Sequence, residues 1–150
     1  MTVLVPSPLG PLGFDVEGDA VTRLRWGETG NLPEGPLAML LRAQLGAYFA
    51  GERRGFSIPL HPGGSVFQER FYAALCAIPF GETRTYGALA ADLGVSAQAI
   101  GQACGANPIA ILIPCHRVLA ADGLGGYSGS GGIEAKITLL KLEGAGSLLL

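Results

Sequence analysis

Cys115, His116 and Arg117 are consecutive in the stretch Ile111-Leu112-Ile113-Pro114-Cys115-His116-Arg117-Val118, at the end of an apolar run and directly after a proline that fixes the local backbone. A thiol reacts as its thiolate, so a nucleophilic cysteine needs a base or a positive charge close by, and His116 and Arg117 supply both residue types. The plainer alternative is that Cys115 is a small buried hydrophobe, a common state of free cysteine. Adjacent side chains often diverge, which leaves His116 to reach Cys115 through a water. Glu143 offers a carboxylate to orient the histidine as third member of a relay; read alone, it is an ordinary solvated residue at a helix end.

Such a site needs a folded scaffold, and 150 residues at 49% hydrophobic and 15% charged can bury one good core or two small ones. No apolar run approaches the roughly 20 residues of a spanning helix, and Met1 to Phe14 lacks the basic start and small-residue cleavage site of a signal peptide. A cytoplasmic protein with no membrane partner is expected. Cys76, Cys104 and Cys115 cannot all pair and none lies in a C-x-x-C arrangement, which indicates neither a disulfide framework nor a structural zinc. A formal charge of −2 argues against holding nucleic acid by bulk electrostatics, so any DNA contact must be local.

Taken in order, Thr2 to Val5, Leu12 to Val16 and Ala20 to Trp26 read as strands of a small antiparallel sheet, with a turn at Gly18-Asp19. From Pro36, Leu37, Leu40, Leu41, Leu45, Tyr48 and Phe49 follow helical spacing up to Gly51, and this helix should cover the sheet. Phe56 to Leu60 is a candidate edge strand. His61-Pro62-Gly63-Gly64 marks the domain boundary, giving domains at 1–64 and 65–150. Ser65 and Gln68 form a capping-box pattern for a helix that carries Phe67, Phe71, Ala74, Leu75 and Ile78 on one face and stops at Pro79.

Thr85 caps a short helix through Leu93, Gly94-Val95-Ser96 makes a tight turn, and Ser96 caps a second helix to about Gly105. Two short helices around such a turn fit a helix-turn-helix, and equally an ordinary helical hairpin. The second helix, Ala97 to Cys104, carries no charge and several very small residues, unlike a major-groove reader with long donors. Its small residues either let it approach a nucleic-acid backbone or minor groove closely, or pack Ala97 and Gly101 against another helix. The glycine-rich run from Gly123 to Gly132 lacks the Lys-Ser or Lys-Thr pair of a phosphate loop and is read as a pocket wall carrying Tyr127 and Ser128. A last helix, about Ile133 to Leu142, should bury Ile137 and Leu140.

Asn107-Pro108, Pro114-Cys115-His116-Arg117-Val118, Gly126-Tyr127-Ser128-Gly129, Lys136 and Leu142-Glu143-Gly144, in that order, resemble the O6-alkylguanine-DNA alkyltransferase family. The resemblance runs from about Val66 to Gly144. It implies an α+β protein with a small ribonuclease-like N-terminal domain and a mainly helical C-terminal domain containing a helix-turn-helix. Its implied activity is DNA repair by irreversible, single-use transfer of an alkyl group from guanine O6 to the protein's own cysteine. The implied partner is double-stranded DNA carrying O6-alkylguanine, bound through the minor groove by a monomer that needs neither metal nor cofactor.

Carried over by position, the resemblance makes Cys115 the acceptor, His116 its base through a water, and Glu143 the residue that holds His116. Asn107 becomes the hinge next to the helix-turn-helix, and Tyr86 presses on the phosphate beside a flipped nucleotide. Tyr127 and Ser128 contact O6, Lys136 stands beside the pocket, and the backbone at Cys115 and Val118 reads the base edge; Arg117 is grouped with these substrate-side residues. Three departures stand out. Gln98 occupies the place of the usual intercalating arginine, the loop between Ser128 and Lys136 is longer than usual, and His61 alone matches the N-terminal ligands of zinc-binding members.

Two other functions compete. An alkyltransferase-like damage-binding protein recognises the lesion without repairing it, but that group characteristically replaces the acceptor cysteine, which is present here. A thiol hydrolase would use the same Cys, His and acid, and would also need turnover and an oxyanion hole.

Overall fold

In a computed structural model of the protein, residues 2–27, 35–127 and 132–145 are described. They form two compact units, 1–62 and 63–150. The architecture is α+β, as expected.

The first unit is a three-stranded antiparallel sheet in the order β1 (Thr2–Val5), β2 (Leu12–Glu17), β3 (Ala20–Trp26). Val3 pairs with Phe14 and Phe14 with Leu24, so the apolar side of each strand shares one face. Helix α1 (Pro36–Phe49) buries Ala38, Leu41, Gln44, Leu45 and Tyr48. This face is rotated from the expected one, because Leu37, Leu40 and Phe49 stay half-exposed while a glutamine goes inside. Gln44 is tolerated there because its amide donates to Ser57 Oγ at 2.6 Å and accepts from the Ser57 N–H at 2.9 Å. The expected edge strand at Phe56–Leu60 shrinks to a single bridge between Leu60 and Val21. Pro59 and Pro62 lack N–H groups, so only the Pro59 carbonyl and the His61 N–H can continue the ladder.

In the second unit, α2 (Val66–Cys76) starts with the full Ser65–Gln68 capping box and buries Phe71, Tyr72 and Leu75. A two-residue strand, β4 (Arg84–Thr85), leads into α3 (Tyr86–Leu93); Gly94 turns the chain at φ 70°, and α4 (Ala97–Gly105) follows. The caps are those expected: Thr85 Oγ1 accepts from the Ala88 N–H and Ser96 Oγ from the Ala99 N–H. Leu89, Ala90, Ile100 and Ala103 are the buried residues of the helix pair.

Residues 109–119 run through the interior of this unit, with a 3-10 turn at Cys115–Arg117 and strand β5 (Val118–Leu119). Strand β5 pairs in parallel with β4, Arg84 opposite Val118, which ties the start of the helix-turn-helix to the Cys115 segment. Helix α5 (Ile133–Leu142) buries Ala135, Lys136, Leu139 and Leu140. Ile137, expected inside, is only half-buried, and a lysine is fully buried beside its position. Among the described residues no helix is long and apolar enough to cross a membrane.

Candidate active site

Asn107 sets the course of the chain ahead of Cys115. Its side-chain amide donates to the Ile113 carbonyl at 2.9 Å, and its oxygen accepts from the Ile109 N–H at 3.1 Å, closing a tight loop. Within that loop Ile111 is held at φ 74°, a conformation that costs a β-branched residue about 1–3 kcal/mol and persists only because its surroundings enforce it. Pro114 then leads into the 3-10 turn, and Cys115, only 4% exposed, is its first residue.

The next side chain points elsewhere. His116 is fully buried, and its Nε2 lies 2.8 Å from Glu143 Oε2. Facing a carboxylate, Nε2 carries the proton and Nδ1 is the acceptor. Nδ1 is buried and has no hydrogen-bond partner among the described residues. Glu143 is placed by the end of α5: Gly144, at φ 80°, donates to the Lys141 carbonyl and Ala145 to that of Leu140, a Schellman closure. Ala145 packs with Leu140 and Leu119, which anchors that closure in the core.

Arg117 is turned away from the substrate-side role given to it by sequence. Its Nε donates to Glu143 Oε1 at 2.8 Å, Nη2 to Glu143 Oε2 at 3.0 Å and Nη1 to the Ile78 carbonyl at 2.7 Å. The guanidinium is thus a buried clamp on the carboxylate that holds His116. Val118 is similarly engaged, its N–H bonded to the Cys115 carbonyl and its own carbonyl accepting from Lys136. Lys136 Nζ also bonds the carbonyls of Leu124 and Gly126, so the lysine is a strut for residues 118–126.

A cavity of about 410 Å³ opens over Cys115, lined by Tyr86, Gly101, Cys104, Gly105, Cys115, Gly126 and Tyr127. Tyr86, the first residue of α3, lies so close to Gly125 that a Cβ there would meet its ring at 2.8 Å, and Lys136 Nζ stands 5.8 Å from the centre of that ring. Burial raises the Cys115 thiol; hydrogen bonding by the Asn107 amide and the Lys136 charge work the other way. Burial lowers His116 against the pull of Glu143, so the imidazole rests neutral. Burial, then the Cys115 charge, pushes Tyr127 well above its ordinary value, keeping it a phenol able to donate. A protonated thiol, a neutral imidazole and a neutral phenol are a resting set suited to nucleophilic transfer with proton movement.

Gln98 is exposed on α4, on the same surface as Ala97, Gly101, Gln102 and Gly105. A Cβ built at Gly101 or Gly105 meets nothing within 4 Å. Among the described residues, then, nothing packs where a side chain at Gly101 or Gly105 would begin. Glycine costs a helix about 1 kcal/mol relative to alanine, so the two glycines trade stability for open space beside the cavity. Ser128 lies outside the described residues.

The sequence matches the family model described as the DNA-binding domain of 6-O-methylguanine DNA methyltransferase over residues 66–145. It is 45% identical over 147 residues to a methylated-DNA–protein-cysteine methyltransferase of Mycobacterium leprae, covering 91% of this chain and 88% of that one. The crystal structure of Mycobacterium tuberculosis OGT in complex with DNA is similar at a TM-score of 0.83 and 43% identity, over 95% of this chain and 92% of that one. A DNA base-flipping protein of Thermus thermophilus is 44% identical over 149 residues, covering 94% of this chain and 98% of that one. The chain belongs to the 6-O-methylguanine DNA methyltransferase family.

Membership in this methyltransferase family leaves the cavity to be read from the chain itself. Cys115, Tyr86 and Tyr127 come together at the cavity, with His116, Glu143, Asn107 and Lys136 behind it. Sequence reasoning missed Gly101, Cys104 and Gly105 as a cavity wall. Their spacing of three and four residues puts them on one helix face, which was the available signal.

Proposed function

We propose that this protein repairs DNA by direct reversal, taking an alkyl group from O6 of guanine onto Cys115, once per chain. The observation that carries the reading is the Cys115 thiol at the cavity, with the neutral His116 and its Glu143 carboxylate buried beside it. A base stacked in a duplex cannot present O6 to a buried thiol, so the nucleotide must flip out at a cost of a few kcal/mol. The uncharged, small-residue surface of α4 suits close approach to a minor groove, with Gln98 filling the space the guanine leaves.

His116 Nδ1 draws the thiol proton through a water, and the resulting thiolate attacks the alkyl carbon. The bond from that carbon to O6 breaks as the S–C bond forms, and the electron pair passes to the guanine. Tyr127 donates toward O6, so the charge developing on the leaving base is met as it forms. The proton held at His116 is then passed on through water to the guanine anion, which leaves a neutral guanine in the DNA and Cys115 as a thioether. Water does not displace the sulfur of an alkyl thioether, so the protein is a stoichiometric reagent, and we read it as a cytoplasmic monomer with one acceptor thiol per chain.

Lesion recognition without transfer is the second reading, raised by the base-flipping relative. The presence of an acceptor thiol at the cavity favours transfer. Intact mass before and after incubation with duplex DNA containing O6-methylguanine tests both readings. One methyl gained per chain, mapped to the Cys115 peptide and absent in Cys115→Ser, is expected. Tight binding with no mass change would establish recognition alone, and repeated turnover would establish a hydrolase.

A further inference from the structure

Of the three cysteines, two line the same cavity. Cys115 is buried there, and Cys104 is half-buried on the last turn of α4. Cys76, exposed at the end of α2, is not among the lining residues. Alkyl transfer as proposed above gives Cys104 no task. Its thiol is pushed up to about 12, by burial first and then by the charge of Cys115, so it stays protonated and does not compete for the alkyl group.

Two thiols at one cavity have chemistry that neither has alone. A cysteine oxidised to its sulfenic acid either condenses with a second thiol, which is reversible, or is oxidised further to sulfinic acid, which is not. We propose that Cys104 and Cys115 form a reversible redox site, at which a hydroperoxide converts the acceptor thiol into an intramolecular disulfide with Cys104. That this disulfide also shields an unspent acceptor rests on the reading of Cys115 given above.

The Cys115 thiolate attacks the terminal peroxide oxygen, the O–O bond breaks, and the departing oxide takes up the proton that Cys115 released, leaving Cys115 as S–OH. The Cys104 sulfur then attacks the Cys115 sulfur, the S–O bond breaks, and hydroxide leaves with the Cys104 proton as water. Two thiols lose two electrons and the peroxide gains them. Burial, the larger cause of the raised Cys104 value, persists after the first step, but a neutral sulfenic acid sets no negative charge against a Cys104 thiolate and the positive charge of Lys136 favours one. Bridging needs the two Cα atoms within about 7 Å, and Cys104 sits at a helix end, where the backbone adjusts most readily.

The test treats the full chain with hydrogen peroxide, blocks free thiols, and maps peptides without reduction. The expected result is a Cys104–Cys115 linked peptide together with loss of methyl transfer, most of which returns on adding dithiothreitol. Cys104→Ser and Cys104→Ala, each compared with its own untreated activity, should instead accumulate Cys115 sulfinic acid and recover little. No linked peptide, a link through Cys76, or full recovery in the Cys104 variants would overturn the proposal. Because the linked peptide is read without DNA, a chain that forms it but accepts no methyl group would overturn the repair reading and leave the redox site standing.

Discussion

Glu143 Oε2 lies 2.8 Å from His116 Nε2, and both side chains are fully buried. The other oxygen of the same carboxylate is 2.8 Å from Arg117 Nε. One helix-capping residue therefore fixes the imidazole's tautomer and neutralises a buried guanidinium. Desolvating a carboxylate beside a neutral histidine alone would be costly, and Arg117 supplies the charge that offsets it.

His116→Ala and Glu143→Gln are each expected to slow methyl transfer by about 10²–10⁴-fold, the usual range for losing general base catalysis. The double variant should be little slower than the worse single one, because the two residues act as a unit. Single-turnover rates on folded protein check this; losses that multiply would end the coupled relay. Glu143→Gln should also lower stability by about 3–5 kcal/mol in urea unfolding, since it leaves Arg117 buried without its partner.

Acid should weaken both fold and activity through His116. Its folded pKa is lowered by burial, so below about pH 6.5, the ordinary histidine value, the unfolded chain binds a proton that the folded chain refuses. The stability present at neutral pH is lost as pH falls through that window. Transfer by the folded chain should stay flat through that window and decline only at lower pH still, where His116 itself takes up the proton and is lost as a base. Urea midpoints and transfer rates measured from pH 8 to 5, taken as roughly the span on either side of that value, check both; in His116→Ala the acid-side loss of stability should shrink.

Much of this was legible in sequence because local rules governed it. Ser65, Thr85 and Ser96 cap helices through their own side chains, and Gly94 turns the chain where only a left-handed residue fits readily. The outcome differed where long-range partners decided. Arg117 looks like a cation for the thiolate until Glu143 and the Ile78 carbonyl, far away in sequence, claim it. Lys136 replaces Ile137 as the buried residue because three carbonyls wait for its ammonium. Periodicity read from hydrophobicity alone could not anticipate a fully satisfied buried lysine.

Lys136→Met tests that strut. The methionine fills similar volume but leaves the carbonyls of Val118, Leu124 and Gly126 without their donor, at about 1–3 kcal/mol for each one that water cannot reach. Thermal or urea unfolding should show the loss, and hydrogen exchange should show earlier opening of residues 118–126. Unchanged exchange there would mean that the loop is held by other contacts, among them Tyr86 against Gly125.

Gln98→Arg bears on how the flipped state is stabilised. Of the five basic side chains from Val66 onward, Arg117 and Lys136 are buried and Arg84 pairs with Asp92, which leaves Arg70 and Lys141 exposed and without an ion pair among the described residues. Each phosphate neutralised contributes about −0.9 to the slope of log K against log salt on duplex DNA, so this unit should bind with a shallow salt dependence. Gln98 can enter a vacated stack and donate hydrogen bonds, but it lacks the charge and the planar stacking of a guanidinium. Arginine at this exposed position should add about 0.5–1 kcal/mol by stacking over the bases, a two- to fivefold gain. Duplex binding should tighten and methyl transfer from duplex should quicken by that factor, while reaction with free O6-benzylguanine, which needs no flipping, should hardly change. If the free base reacts faster by the same factor, or duplex repair does not move, Gln98 does not stand where the guanine leaves the stack and the docking of α4 has to be redrawn.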